Sequence, residues 1–141
     1  QRRPPHALLD LRAAQTRATA IAADYGLARA AASAPVATYS GGMQQKLIAG
    51  RELTPDAKVV IAYTPTRGVD VGAAEIIHAR LRRIRDGGAA VIVVSYDLDE
   101  IRALADRIVV FSKGKIAGEL APDEAGDERL GALMGGVAAH A

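Results

Sequence analysis

The chain has 141 residues, 50% of them apolar and 24% charged, with a formal net charge of +2 at pH 7. That balance is typical of one globular domain with a buried core, and the charge is too small to point to nucleic acid. Cysteine is absent, which excludes disulfide frameworks and thiolate metal sites.

His6, His78 and His140 have no metal-ligand spacing. No apolar run approaches the roughly 18 residues that a membrane helix needs, and no signal-peptide pattern opens the chain. Any membrane role is therefore expected to run through a partner. The first residue is Gln1 rather than Met, as expected of a piece of a longer chain.

In chain order, Leu8, Leu11, Ala18, Ile21 and Tyr25 recur at helical spacing and predict a helix from about Pro5 to Tyr25, with Gly26 as its stop. A small-residue loop follows over 27–38. A second helix is predicted from Ser40-Gly41-Gly42 to about Leu53. The apolar run Val59–Tyr63 has the length and composition of a buried parallel strand.

The next predicted helix, Ala73 to Arg85, places Ile77, Leu81 and Ile84 on one face, and Gly87-Gly88 ends it. Arg80, Arg82, Arg83 and Arg85 on this helix read either as a solvated face or as a phosphate track. Ala90–Ser95 is a second buried strand, and Leu98–Leu104 a short helix. Ile108–Ser112 and Lys115–Leu120 are strands joined at Lys113-Gly114, a hairpin signal. Glu128–Met134 closes as a helix. Alternating strands and helices imply a parallel sheet covered by helices.

The strongest local feature is Tyr39-Ser40-Gly41-Gly42-Met43-Gln44-Gln45-Lys46, a loop with two glycines feeding a helix N-terminus. Such a start offers unpaired N–H groups and the positive end of the helix dipole. Glycine lets a phosphate approach the backbone. Taken alone, the same residues also suit a plain N-cap by Ser40.

Three further segments follow in order: Val59–Tyr63 with Thr64-Pro65-Thr66-Arg67-Gly68-Val69-Asp70; Val91–Val94 with Ser95-Tyr96-Asp97-Leu98-Asp99-Glu100; and Ala105–Phe111 with Gly114-Lys115-Ile116. This succession resembles the ABC ATPase family: signature loop, Walker B strand, D-loop, switch-histidine strand and terminal hairpin. The resemblance covers about residues 36–136.

Ser-Gly-Gly with Gln-Gln-Lys, Pro65-Thr66-Arg67-Gly68-Val69-Asp70-Val71-Gly72-Ala73 and Leu133-Met134-Gly135-Gly136 look most like the second nucleotide-binding half of sugar and nucleoside importers. The implied fold is α/β, the C-terminal part of a RecA-like P-loop NTPase. Residues 1–37 would be the end of the helical subdomain and its loop. Residues 38–141 would be the signature helix and the C-terminal half of the core.

The sequence departs from the family pattern at three positions. The Walker B aspartate and glutamate fall on Tyr63 and Thr64, and the switch histidine on Tyr96. None of these is an anion or an imidazole at pH 7, and losing one general base costs roughly 10²- to 10⁴-fold in rate. The phosphate loop Gly-x-x-x-x-Gly-Lys-Ser/Thr is not in the sequence. The resemblance implies two halves that sandwich ATP head to tail, each nucleotide lying between one half's phosphate loop and the other's signature loop.

This half would then lend Ser40, Gly41, Gly42, Met43 and Gln44 to ATP and Mg²⁺ held by its partner half. Met43 replaces a usual Gln or Asn. Asp70 matches the D-loop aspartate and equally suits a turn or helix cap. Implied partners are the second nucleotide-binding half, in the same chain or another subunit, and membrane permease subunits, with no nucleic acid. The implied location is the cytoplasmic face of a bacterial inner membrane, held through the permease. Two rival readings stay open: a non-catalytic structural or regulatory ABC-like domain, and a soluble ABC ATPase outside transport.

Overall fold

The computed structural model describes residues 10–27, 34–53 and 56–136. Helix α1 spans Leu11–Asp24, α2 Gly41–Glu52, α3 Val71–Asp86, α4 Leu98–Leu104 and α5 Asp127–Met134. Strands are β1 Val59–Tyr63, β2 Ala90–Val94, β3 Ile108–Ser112 and β4 Lys115–Leu120. Strand β1 pairs with β2 in parallel, Val59 opposite Ala90 through Tyr63 opposite Val94. Strands β3 and β4 form an antiparallel hairpin with a bulge between Val110 and Phe111.

Helix starts follow side-chain chemistry. Asp10, Ser40, Asp70 and Asp97 cap α1 to α4, each accepting from backbone N–H groups of the first turn. The cap at Asp10 puts the start of α1 later than the predicted Pro5; residues 1–9 lie outside the described part, as do 28–33 of the predicted loop. Within that loop, Val36–Thr38 form a 3₁₀ turn.

The larger core joins Ala22, Tyr25 and Leu27 with Ala49 and Leu53 of the α2 segment, Val60 and Ala62 of β1, and Ile77, Leu81 and Ile84 of α3. Ile77 is 0% exposed. Gly50 lets α1 and α2 close together: an added Cβ would lie 2.3 Å from Ile21 Cγ2 and 3.0 Å from Tyr25 Cε2. A second core unites Ile108, Val110 and Leu120 of the hairpin with Leu130 and Leu133 of α5.

Both parallel strands were expected to be buried, and the structure corrects this. Val60 and Ala62 are buried, but Val59, Ile61, Tyr63, Ile92 and Val94 are exposed on the opposite face, Ile61 at 70%. The reason is one-sided cover. Described helices pack on one face of β1–β2, whereas strands of this composition are ordinarily covered on both.

Three of the four arginines of α3 are held within the chain, and Arg83 is exposed. Arg80 bonds the Leu53 carbonyl and Asp24, Arg82 the Ala103 carbonyl and Glu75, and Arg85 Asp86 and Asp106. That is the solvated-face arrangement rather than a phosphate track.

The bare sheet face leads to a first prediction. The chain by itself should self-associate through the Val59–Ile61–Ile92–Val94 face, because contiguous exposed apolar patches and open strand edges drive association. Sedimentation velocity over a dilution series should show a mass that rises with concentration. A monomer at all concentrations, unfolding in one sharp transition, would contradict it.

Candidate functional site

Ser40 is the exposed N-cap of α2, and its Oγ accepts from the Met43 N–H at 3.3 Å. The first intrahelical bond runs from Gln44 N–H to the Ser40 carbonyl at 2.9 Å. The N–H groups of Gly41 and Gly42 thus precede the helix ladder and lack intrahelical acceptors. Gly41 is exposed, and a Cβ there would meet nothing within 4 Å. The Met43 side chain packs on the larger core, which accounts for an apolar residue at that position. Gln44 Nε2 donates to the Tyr39 carbonyl at 3.0 Å, bracing the loop from within.

The expectation for Gly42 gains a second physical cause. A Cβ at Gly42 would lie 2.7 Å from the Gly68 carbonyl oxygen. A glycine here therefore lets the head of α2 lie against the turn that follows β1, whatever else it does. Two side chains tighten the same contact. Gln45 Nε2 donates to the Pro65 carbonyl at 2.9 Å, and Lys46 Nζ bonds Asp70 Oδ2 at 2.8 Å.

Asp70 acts twice, since its Oδ1 also accepts from the Ala73 N–H at 2.9 Å as the cap of α3. The Lys46 hydrogen bond first, and the Ala73 N–H second, hold its carboxyl below the usual aspartate range. A depressed carboxyl contributes above its unfolded pKa and loses that contribution as pH falls through the folded value. The clamp is therefore an ordinary fixture at neutral pH.

Tyr63 ends β1 and Tyr96 follows the end of β2, side by side because the strands are parallel and in register. Both are largely exposed. The hydrogen bond to the Tyr96 hydroxyl, and then the neighbouring phenol's own charge, push the Tyr63 phenol above its ordinary value, with Arg67 acting in the opposite sense. Tyr63 is thus a neutral donor at pH 7.

Thr64 has φ 43°, a left-handed conformation that a β-branched residue adopts at a cost of about 1–3 kcal/mol. Its N–H is held by the Val94 carbonyl at 2.7 Å. The strand ends present hydroxyl groups and a guanidinium where a cation would need carboxylates. Among the described residues no group of three or more His, Asp or Glu could hold a metal. Tyr63 and Thr64 at the end of β1 offer Mg²⁺ hydroxyls and no carboxylate, so the fit there is poor.

A buried polar cluster beneath this turn was not legible in sequence. Thr66 Oγ1 donates to Glu100 Oε1 at 2.6 Å, and His78 Nε2 lies 3.1 Å from the same oxygen. The structure thus brings Ser40–Gln45, Lys46 and the 64–70 turn together on one side. Tyr63 and Tyr96 lie at the other end of that turn.

The fold is the one seen in solved ATP-binding subunits of ABC transporters. The chain superposes on a structure described as the ATP-binding subunit of an ABC transporter with a TM-score of 0.69 over 94% of its length, at 18% identity and covering 52% of that chain. No protein-family model matches the chain.

The chain is homologous to the ATP-binding proteins of sugar and nucleoside importers. It is 41% identical over 126 residues to a ribose import ATP-binding protein of Streptomyces avermitilis, covering 89% of this chain and 24% of the relative. It is 39% identical over 137 residues to a nucleoside import ATP-binding protein of Lactococcus lactis subsp. cremoris, covering 95% of this chain and 27% of the relative. The chain spans about a quarter of the length of the relatives it matches.

Proposed function

We propose that this chain is part of the ATP-binding component of an ABC importer for a sugar or nucleoside, and that it lends its signature loop to an ATP held by a partner half. The observation that carries this reading is the contrast between its two ends. The head of α2 is exposed, glycine-lined and braced by Gln45–Pro65 and Lys46–Asp70. The ends of β1 and β2 carry Tyr63, Thr64 and Tyr96, none of them an acid or an imidazole, and the next acid, Asp97, is engaged as the cap of α4.

In this reading the Ser40 hydroxyl and the Gly41 and Gly42 N–H groups bind the terminal phosphates of the partner's nucleotide. Donors fixed in advance at developing phosphate charge are an effective form of catalysis. When bound, ATP with Mg²⁺ supplies the phosphoryl group and the charge neutralisation, and those groups belong to the partner's side. Asp70 keeps the loop seated and caps α3. Permease subunits supply the membrane passage. The place of action is the cytoplasmic face of the membrane, held through the permease.

The test is steady-state phosphate release by the chain alone. It should show no magnesium-dependent turnover above background. A rate near or above about 1 s⁻¹, the low end of ordinary enzymes, that survives repurification would contradict the reading that its own site is inactive.

A further inference from the structure

Glu100 is a carboxylate that the signature-loop reading does not use, and it is 3% exposed. It lies in the first turn of α4, where Asp97 accepts from its N–H at 3.1 Å and fixes the backbone. One oxygen, Oε1, accepts from Thr66 Oγ1 at 2.6 Å and contacts His78 Nε2 at 3.1 Å. His78 is itself buried, its Nδ1 has no hydrogen-bond partner among the described residues, and Glu75 Oε1 stands 3.8 Å away.

Helices α3 and α4 and the turn after β1 thus meet at a single oxygen atom. Burying a carboxylate is costly unless strong donors reach it, and an apolar residue would fill the space more cheaply. The turn is where a hold is needed. Thr64 is left-handed there, and the other side of the turn seats α2 through the Pro65 and Gly68 carbonyls.

We propose that Glu100 is a positioning residue for the signature loop: by gripping Thr66 it fixes the turn against which the head of α2 rests, and so sets the place of Ser40, Gly41 and Gly42. The seating is a property of this chain; its consequence for nucleotide rests on the trans-donation reading.

Amide hydrogen exchange on the intact chain tests it, comparing Gln44–Leu47 in α2 with the β3–β4 hairpin as a gauge of global opening. Glu100→Ala should speed exchange in α2 by about 10-fold relative to the hairpin, the scale of one lost charge-assisted hydrogen bond. Glu100→Gln keeps an oxygen for Thr66 and should stay within about 3-fold of wild type. Thr66→Val removes only the hydroxyl and should loosen α2 as Glu100→Ala does. If Glu100→Ala does not fold, Thr66→Val decides alone.

Unchanged α2 exchange in Thr66→Val, or loosening of the hairpin to the same degree, overturns the proposal. The two readings fail separately. If Ser40→Arg spared hydrolysis in an assembled importer while Thr66→Val still freed α2, trans donation would fall and the positioning role would stand. If Ser40→Arg abolished hydrolysis and α2 ignored Thr66→Val, the positioning role would fall alone.

Discussion

Ser40→Arg or Gly41→Asp in an assembled importer should lower ATP hydrolysis by about 10²-fold or more, the scale of losing one preorganised donor or worse. Ser40 is exposed and Gly41 has open space around its absent Cβ. Gly41→Asp therefore leaves the chain's own packing intact, whereas Ser40→Arg also removes the cap on the Met43 N–H, so a loss common to both falls on whatever binds there. Repair of the other end should do little. Tyr63→Asp with Thr64→Glu would restore two carboxylates, but Tyr96 would still occupy the imidazole's place. Without a cation the two acids repel each other. Phosphate release, with nucleotide binding measured separately, distinguishes the two effects. Near-wild-type hydrolysis in Ser40→Arg would favour the non-catalytic structural reading.

Gly50→Val should destabilise the chain by about 3 kcal/mol and lower the melting temperature by about 10 °C, the upper range for overpacking a filled core. Even a Cβ would press on Ile21 and Tyr25, and valine adds two methyl groups at the same contact. The partners are themselves fixed: Tyr25 is buried and Ala22 sits beside it in the core. Thermal unfolding followed by circular dichroism checks this. Gly41→Ala is the control, expected within about 0.5 kcal/mol of wild type because its Cβ meets open space. A Gly50→Val protein as stable as the control would mean that α1 and α2 do not pack as described.

Much of the fold was legible because its signals are local. Runs such as Val59–Tyr63 and Ala90–Val94 are strands by composition, and Ser40 and Asp70 suit helix starts by their chemistry. The hairpin follows from Lys113-Gly114, where both residues take positive φ. The exposed face of β1–β2 was not legible. Burial depends on what covers a strand, and the same apolar run suits a sheet covered on one side or on two.

The site was legible in outline for the same reason. Ser40-Gly41-Gly42 is a contiguous pattern, as is Pro65 to Asp70. The bonds that join them are not. Gln45 to Pro65 spans 20 positions, Lys46 to Asp70 spans 24, and Thr66 to Glu100 spans 34. Nothing in the local spacing of these residues couples them. Glu100 reads in sequence as one more acid in the first turn of a helix, where acids are favoured by the dipole. Only the fold shows it turned inward onto a threonine.

Whether Ser40 acts on a partner's nucleotide can be read from proximity. The sequence contains no cysteine, so Ser40→Cys introduces a single thiol into this chain. A second cysteine is placed in the phosphate loop of the partner half of the assembled importer, and mild oxidation is applied with and without ATP. A disulfide should form when ATP brings the halves together and be weak or absent without it. A bond formed equally with and without ATP, or no bond under either condition in a complex that still binds nucleotide, would contradict it.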